Sequence, residues 1–357
     1  MINNINNKYK CAFSSTNSNY NNKYIQSSKF ISNDCFLIFN DKSIIKYDFD
    51  YNKEKNSIET INKQNEYFEN NFIYDFDIIT DNNFNLPYIC ICSKDNPIRI
   101  LNNDLSLVKS YSLESKLFEK YLSSTFIKYE AYGMNLFTGK NFLSKIDLIK
   151  EKEIFTKFNT NYHYLSSFDF NNKYSCYFLG SYNGNLLLCD YKTDKIIEIF
   201  KQENPINEIK ILNSKEYQML VGYRNSDYIS LFDIRNMKLC INKFERNALT
   251  TKKINFVVDK DENFIYSGDL YGNIIRYSFN NDIDASKENN QNIFLKEIIN
   301  IDINNCITSI DLDNLNNLLI VTYGKNNLFE NECIKDNKEE KSKIENEGKF
   351  EIFNRLL

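Results

Sequence analysis

The only histidine of the chain, His163, is the first place to look for catalytic chemistry. A Ser-His-Asp or Cys-His mechanism would need this residue as its base. It stands between Tyr162 and Tyr164, without a nucleophile elbow, a phosphate-binding loop or a metal-ligand cluster to accompany it. A packed or hydrogen-bonded histidine is the simpler interpretation. We therefore expect no enzymatic activity, no small-molecule substrate and no cofactor.

Cysteine is the other residue type that could support chemistry here. Cys90 and Cys92 are two positions apart and would project to one face of a strand, where they could share a metal ion. The nine cysteines offer no second pair to complete a tetrahedral site. Most of them lie in apolar, strand-like runs, which indicates reduced side chains packed in the core. The sequence predicts no metal site.

Basic residues concentrate between positions 224 and 253, although the chain has a net charge of -4. The basic set is Arg224, Lys243, Arg246, Lys252 and Lys253. Arginine and lysine suit phosphate oxygens, and the neighbouring Tyr223 could stack on an unpaired base. This pattern indicates a candidate RNA-binding patch. A solvated loop accounts for the same charges equally well.

Two smaller polar sets complete the candidates. Lys94, Asn96 and Arg99 could form a second RNA site, with a polar turn as the alternative. Asp233 and Arg235 follow an apolar run, and we expect them to make structural bonds to the next turn.

The elements that would position these residues form a repeated pattern. Each copy has an apolar run, a polar turn, a second apolar run ending in Gly or Ser, a tight turn and a third run. The copies start near Lys29, Ile73, Ser124, Leu165, Ile206, Lys253 and Ile307. Their spacing is typical of propeller blades, and the turns carry the Asp, Asn and Gly that chain reversals need. The pattern predicts an all-β, seven-bladed WD-repeat β-propeller.

A propeller must close its ring, because an open sheet of this size would leave long edges. The chain ends just after a third run, Phe350 to Phe353, so the run Tyr9 to Phe13 should supply the outer strand of the last blade. We expect a disordered tail over residues 1–8 and one propeller over 9–357. The Lys-, Glu- and Asn-rich segment 325–349 is expected to be a disordered loop insertion.

Targeting features point inside the cell. The first thirty residues are polar and rich in Asn, and no run of about 18 apolar residues occurs. We therefore expect a protein that is neither secreted nor bound to a membrane. The negative net charge gives no general attraction to nucleic acid, so any RNA contact must come from a local patch.

Several segments resemble the telomerase Cajal body protein family. Gly222–Arg235 (GYRNSDYISLFDIR) aligns without a gap on that family's GARKDAELLCWDLR, and Leu249–Asp259 (LTTKKINFVVD) is similar to its TTNQRIYFDLD. Ser93–Ile100 (SKDNPIRI) resembles its SRENPIHI. Shorter similarities occur at Ile73–Phe76 and Gly180–Tyr182, in the same order as in the family.

The resemblance implies an RNA-binding scaffold. Members of that family bind H/ACA-type small Cajal body RNAs and telomerase RNA, and they act in the localisation and assembly of these RNPs. By the resemblance, the partners would be those RNAs and their RNP proteins. The expected location is nuclear, in a Cajal-body-like compartment, with room for a cytoplasmic pool. The alternative is a generic WD-repeat propeller that mediates protein–protein interactions without RNA.

Overall fold

The strands of this chain follow from its apolar runs and the polar turns between them. A computed structural model describes residues 3–4, 9–14, 25–32, 35–55, 57–80, 87–113, 123–131, 133–157, 164–171, 173–215, 217–279, 295–300, 305–313, 317–324 and 349–355. All regular structure in these residues is β-strand, arranged in seven separate sheets.

The first four blades are consecutive four-stranded antiparallel sheets. Blade 1 has β3 (Ile25–Ser32), β4 (Cys35–Asn40), β5 (Ser43–Asn52) and β6 (Ser57–Phe68). Blade 2 has β7 (Ile73–Ile79), β8 (Tyr88–Ser93), β9 (Ile98–Leu101) and β10 (Leu107–Tyr111). Blade 3 has β11 (Phe126–Glu130), β12 (Asn135–Gly139), β13 (Phe142–Asp147) and β14 (Lys152–Lys157). Blade 4 has β15 (Leu165–Asn171), β16 (Cys176–Ser181), β17 (Asn185–Asp190) and β18 (Ile196–Lys201).

The last three blades repeat this order with additions from the N-terminal segment. Blade 5 has β19 (Ile206–Ile211), β20 (Gln218–Tyr223), β21 (Tyr228–Asp233) and β22 (Asn236–Glu245). Blade 6 has β23 (Phe256–Val258), β24 (Phe264–Gly268), β25 (Asn273–Ser278), β26 (Leu295–Asn300) and, beside β26, β1 (Asn3–Asn4). Blade 7 has β27 (Cys306–Asp313), β28 (Leu318–Gly324), β29 (Lys349–Arg355) and β2 (Tyr9–Ser14).

The predicted seven-bladed propeller is confirmed. Each blade begins at or near the start of one sequence repeat, and the largest displacement is in blade 1, which begins at Ile25 rather than Lys29. The second strands are almost wholly buried, since neighbouring blades cover both of their faces. This explains why the apolar runs of these strands do not alternate with polar residues.

Ring closure is also as predicted. Strand β2 pairs antiparallel with β29, with Tyr9 opposite Arg355 and Ser14 opposite Glu351. Within the expected N-terminal tail, Asn3–Asn4 pairs in parallel with β26, and the rest of residues 1–8 lies outside the described residues. The expected insertion likewise falls outside them, except that Lys349 is already the first residue of β29.

Polar bonds tie the first strands of neighbouring blades together around the central channel. In one blade a carboxylate accepts a hydrogen bond from a backbone N–H of the next. The pairs are Asp77 with Tyr129 (2.9 Å), Asp169 with Ile211 (2.6 Å), Glu208 with Phe256 (3.1 Å) and Asp311 with Phe30 (2.7 Å). Burial acts to raise the pKa of Asp77, but Lys29 and Lys128 outweigh it and lower that pKa to about 2. The channel wall is therefore a network of charged groups held in fixed positions.

Small residues let successive blades approach each other. A Cβ added at Gly268, at the end of β24, would lie 2.3 Å from Cγ2 of Ile307 in blade 7. At Gly180, at the end of the second strand of blade 4, it would lie 2.5 Å from Cγ2 of Ile206 in blade 5. Glycine near the end of the second run is thus a packing requirement between these blades.

Candidate functional site

The antiparallel order of the strands brings two kinds of loop to one end of the propeller. The turn between the second and third strands of a blade meets the segment before a first strand, and we call this end the top face. Backbone hydrogen bonds join the two, as from Lys94 N to Phe72 O (2.8 Å) and from Tyr182 N to Tyr164 O (2.8 Å). The other turns lie at the opposite end, the bottom face.

Three of the predicted basic residues lie on the top face. Arg224 follows β20, while Lys252 and Lys253 precede β23. The Arg224 guanidinium donates from Nη1 to Thr251 O at 2.5 Å and from Nη2 to the Tyr182 hydroxyl at 3.2 Å. Its carbon also lies 4.9 Å from the centre of the Tyr182 ring. The blade 5 and blade 6 loops are thereby held against an aromatic ring of blade 4.

Lys253 points toward the central channel. Its Nζ lies 3.5 Å from Oδ1 of Asp75, in the first strand of blade 2. Burial acts to lower the pKa of Lys253, but the carboxylates of Asp75 and Glu208 outweigh it, and the net shift is upward. The Arg224 charge acts against this upward shift, since the two cations are neighbours. Lys253 is therefore positively charged at neutral pH.

A pocket of about 340 Å³ opens where these groups meet. Phe72, Tyr74 and Tyr182 contribute aromatic walls, and Arg224, Lys252 and Lys253 contribute the positive charge. Asp75 lies at its inner end, because it lines both this pocket and the central channel. Tyr74 and Tyr182 remain 37% and 36% exposed, so both rings are accessible to a ligand.

The cations of the top face extend beyond this pocket. Lys42 Nζ lies 5.4 Å from the centre of the exposed Phe72 ring, and Lys140 Nζ lies 4.6 Å from the centre of the exposed Tyr164 ring. Pairs of an aromatic face and a cation are thus present on the turns or loops of several blades. The arrangement can stack on planar groups and hold anionic ones.

The placement of Arg246 in a phosphate-facing patch was wrong. Arg246 is only 2% exposed, and its guanidinium donates to Ile254 O, Ser267 Oγ and Tyr223 O at 3.0 to 3.2 Å. Burial lowers its pKa to about 10, against the opposing charges of Glu208 and Asp227. Arg246 is a buried residue whose hydrogen bonds link blades 5 and 6, and no phosphate can reach it.

Tyr223 and Lys243 do not join the top-face pocket either. The Tyr223 side chain is buried, and its hydroxyl donates to Gln202 Oε1 at 3.1 Å, so it cannot stack on a base. Burial raises its pKa. Lys243 Nζ lies 4.2 Å from the centre of the Tyr228 ring. Both residues line a separate groove of about 450 Å³ between β18 and β22.

The second candidate RNA site consists of Lys94, Asn96 and Arg99, and two of these side chains bond to another residue of the protein. Arg99 Nε lies 3.0 Å from Oε1 of Glu69, and Asn96 Nδ2 donates to the same oxygen at 3.4 Å. Burial raises the pKa of Glu69, although Arg99 opposes the shift. Arg99 and Asn96 therefore join blades 1 and 2, and only Lys94 of this set is fully exposed on the top face.

The remaining predicted residues have structural positions or lie outside the described residues. Arg235 Nη2 lies 2.6 Å from Asp233 Oδ2, within the turn after β21, as expected for a structural pair. Cys90 and Cys92 lie in a buried core cluster, where burial raises the pKa of both thiols well above the usual value. His163 lies outside the described residues.

Sequence reasoning missed Asp75 and the ring face of Tyr182. Asp75 and Tyr182 lie within the resembling segments Ile73–Phe76 and Gly180–Tyr182, but the sequence pattern gave neither residue a role. The usable signal was positional. Asp75 stands near the start of a first strand, and Tyr182 stands just after a second strand. A propeller places both of these positions on its top face.

No protein-family model matches this chain, and no curated protein matches it. Among the described residues there is no helix with the length and hydropathy that a transmembrane span requires. The architecture is compatible with a WD-repeat protein, and such a scaffold fits a role in protein interaction. The candidate binding site is the cationic, aromatic pocket of the top face.

Proposed function

We propose that the top face binds single-stranded RNA, in a protein that acts as an RNP scaffold. The observation that carries this proposal is the pocket in which exposed Tyr74 and Tyr182 lie beside Arg224, Lys252 and Lys253. Aromatic faces stack on unpaired bases, while arginine and lysine hold the phosphates. The same combination recurs at Lys140 and Tyr164, within reach of a longer strand.

The resemblance to the telomerase Cajal body protein family supports a narrower form of this proposal. The RNA would be an H/ACA-type small Cajal body RNA or telomerase RNA, bound through an unpaired loop. The protein would act in the assembly and localisation of these RNPs in a nuclear, Cajal-body-like compartment. The resembling segments Gly222–Arg235 and Leu249–Asp259 contain the top-face residues Arg224, Lys252 and Lys253.

A protein partner without RNA is the second candidate. The outer strands β18 and β22 form a groove and expose Ile197, Ile199, Leu239 and Ile241, of which Ile199 lines it. Exposed apolar residues next to a groove suit a protein surface better than a polyanion. Recovery of proteins but no RNA with the purified chain would favour this candidate.

The RNA proposal predicts the salt dependence of binding. Replacing Lys252 and Lys253 by alanine should weaken binding of an H/ACA-type stem–loop RNA. Each lost phosphate contact should reduce the slope of log affinity against log salt by roughly 0.7, because fewer counterions are released on binding. The measurement is a series of binding isotherms at increasing salt concentrations, for the wild type and for the double variant.

The matched control replaces two bottom-face lysines, Lys150 and Lys192, which are both exposed. This pair removes the same charge from the far end of the propeller, so the slope should change little. Thermal melting of all three proteins separates binding from folding, because Lys253 is half-buried and pairs with Asp75, whereas the two control lysines are exposed. Equal affinities and slopes for the two double variants would contradict a top-face RNA site.

A further inference from the structure

The pocket at the channel mouth has room for one small ligand. Its volume of about 340 Å³ lies at the lower end of small-molecule sites, which span roughly 300 to 1,000 Å³. A strand of several bases would have to cross the top face outside it. One unpaired nucleotide could insert, with its base between the side chains of Tyr74 and Tyr182.

The inner end of the pocket carries a carboxylate. The Asp75 side chain is 23% exposed, and its Oδ1 lies 3.5 Å from Lys253 Nζ. Its Oδ2 accepts a hydrogen bond from Ile127 N at 3.3 Å. A carboxylate has about four acceptor positions, so Asp75 can accept further bonds in the pocket. The two existing contacts fix its orientation.

A fixed carboxylate discriminates between the four bases. Guanine presents two adjacent donors on its Watson–Crick edge, the N1–H and the 2-amino group, which match the two oxygens of a carboxylate. Adenine and cytosine place an acceptor nitrogen beside their amino donor, and that nitrogen would repel the carboxylate. Uracil has a single N–H between two carbonyl oxygens. The chemistry of Asp75 therefore favours guanine.

The rim of the pocket suits the phosphate of the same nucleotide. The Arg224 guanidinium has five N–H donors, and its bonds to Thr251 O and to the Tyr182 hydroxyl leave donors for a ligand. Lys252 lines the same wall and adds a second positive charge. Arg224 and Lys252 line this pocket but not the channel, whereas Asp75 and Lys253 line both, which orients an inserted nucleotide with its phosphate outward and its base inward.

We propose that this pocket takes one unpaired guanine nucleotide, whose base bonds to Asp75 and whose phosphate lies against Arg224 and Lys252. The proposal rests on the proposed RNA binding and adds a base preference to it. Asp75 is the specificity-determining residue. Tyr74 and Tyr182 stack on the base whatever its identity.

The test is calorimetric titration of the full chain with GMP, IMP and AMP. GMP should bind at least about tenfold more tightly than AMP, because a bidentate pair is lost with adenine. IMP keeps the N1–H but lacks the 2-amino group, so its affinity should fall between the two. This comparison changes only the ligand and needs no protein variant.

Variants separate the two parts of the site. Asp75→Asn keeps an acceptor for Ile127 N but loses the carboxylate, so the affinities for GMP and AMP should come within about twofold of each other. Tyr182→Ala should weaken both nucleotides by about tenfold and leave their ratio unchanged, since stacking is tolerant of sequence.

The outcomes distinguish this proposal from the proposed function. Equal affinities for GMP and AMP on the wild type would overturn the guanine assignment. RNA binding with no binding of any mononucleotide would overturn the pocket but leave the top-face RNA site standing. Absence of binding to both the stem–loop RNA and the mononucleotides would overturn both.

Discussion

Replacing Arg246 by alanine is expected to lower the free energy of unfolding by about 3 to 5 kcal/mol, although this residue was first placed in a binding patch. The change removes a buried cation that holds the carbonyl groups of Tyr223 and Ile254. It leaves those carbonyl groups without this donor, takes away a positive charge that stabilises the carboxylates of Glu208 and Asp227, and opens a buried cavity.

Arg235 provides the matched control. Its side chain is 62% exposed and pairs with Asp233, while its guanidinium carbon lies 4.0 Å from the centre of the Tyr217 ring. Arg235→Ala should therefore cost much less stability than Arg246→Ala, because exposed ion pairs contribute little. Urea denaturation of the wild type and both variants measures the difference. Equal unfolding midpoints for the two variants would show that Arg246 does not tie blades 5 and 6 together.

Removal of residues 1–14 is expected to have the second large effect. The truncated chain loses β2, and blade 7 keeps β27, β28 and β29 only. The covalent link from the outer strand of blade 7 to blade 1 is cut, and β29 becomes an exposed edge. The melting temperature should fall by on the order of 5 to 10 °C, with increased aggregation through the free edge.

A shorter truncation controls for the loss of the terminus itself. Removing residues 1–7 retains Tyr9–Ser14 and sacrifices only the two-residue pairing of Asn3–Asn4 with β26. Its melting temperature should stay close to that of the full chain. If the longer truncation melted at the same temperature as the shorter one, closure by β2 would make no contribution to stability.

The blade pattern could be predicted from sequence because it depends on local properties. Asp259, for example, accepts hydrogen bonds from Asn263 N and Phe264 N and so closes the turn before β24. Gly272, with a φ of 84°, permits the tight turn before β25. Such signals act within a few residues of each other, and seven repetitions of them specify the ring.

The composition of the site could not be predicted in the same way. Arg224 and Arg246 both lie in the junction between blades 5 and 6, but one lies on the top face and the other is buried beneath it. Whether a junction residue turns inward depends on the acceptors that other strands place there, such as Ser267 Oγ. Asp75 and Lys253 come from blades 2 and 6, and only closure of the ring brings them together.

We propose the top face, and not the outer groove, as the RNA-binding surface. Ultraviolet crosslinking of a bound H/ACA-type stem–loop RNA to the full chain, with mass spectrometric mapping of the linked peptides, tests it most directly. The top-face site predicts crosslinks at Tyr74 and Tyr182, which together with Phe72 are the exposed rings of the pocket. Crosslinks confined to β18 and β22, or to the bottom-face turns, would contradict it.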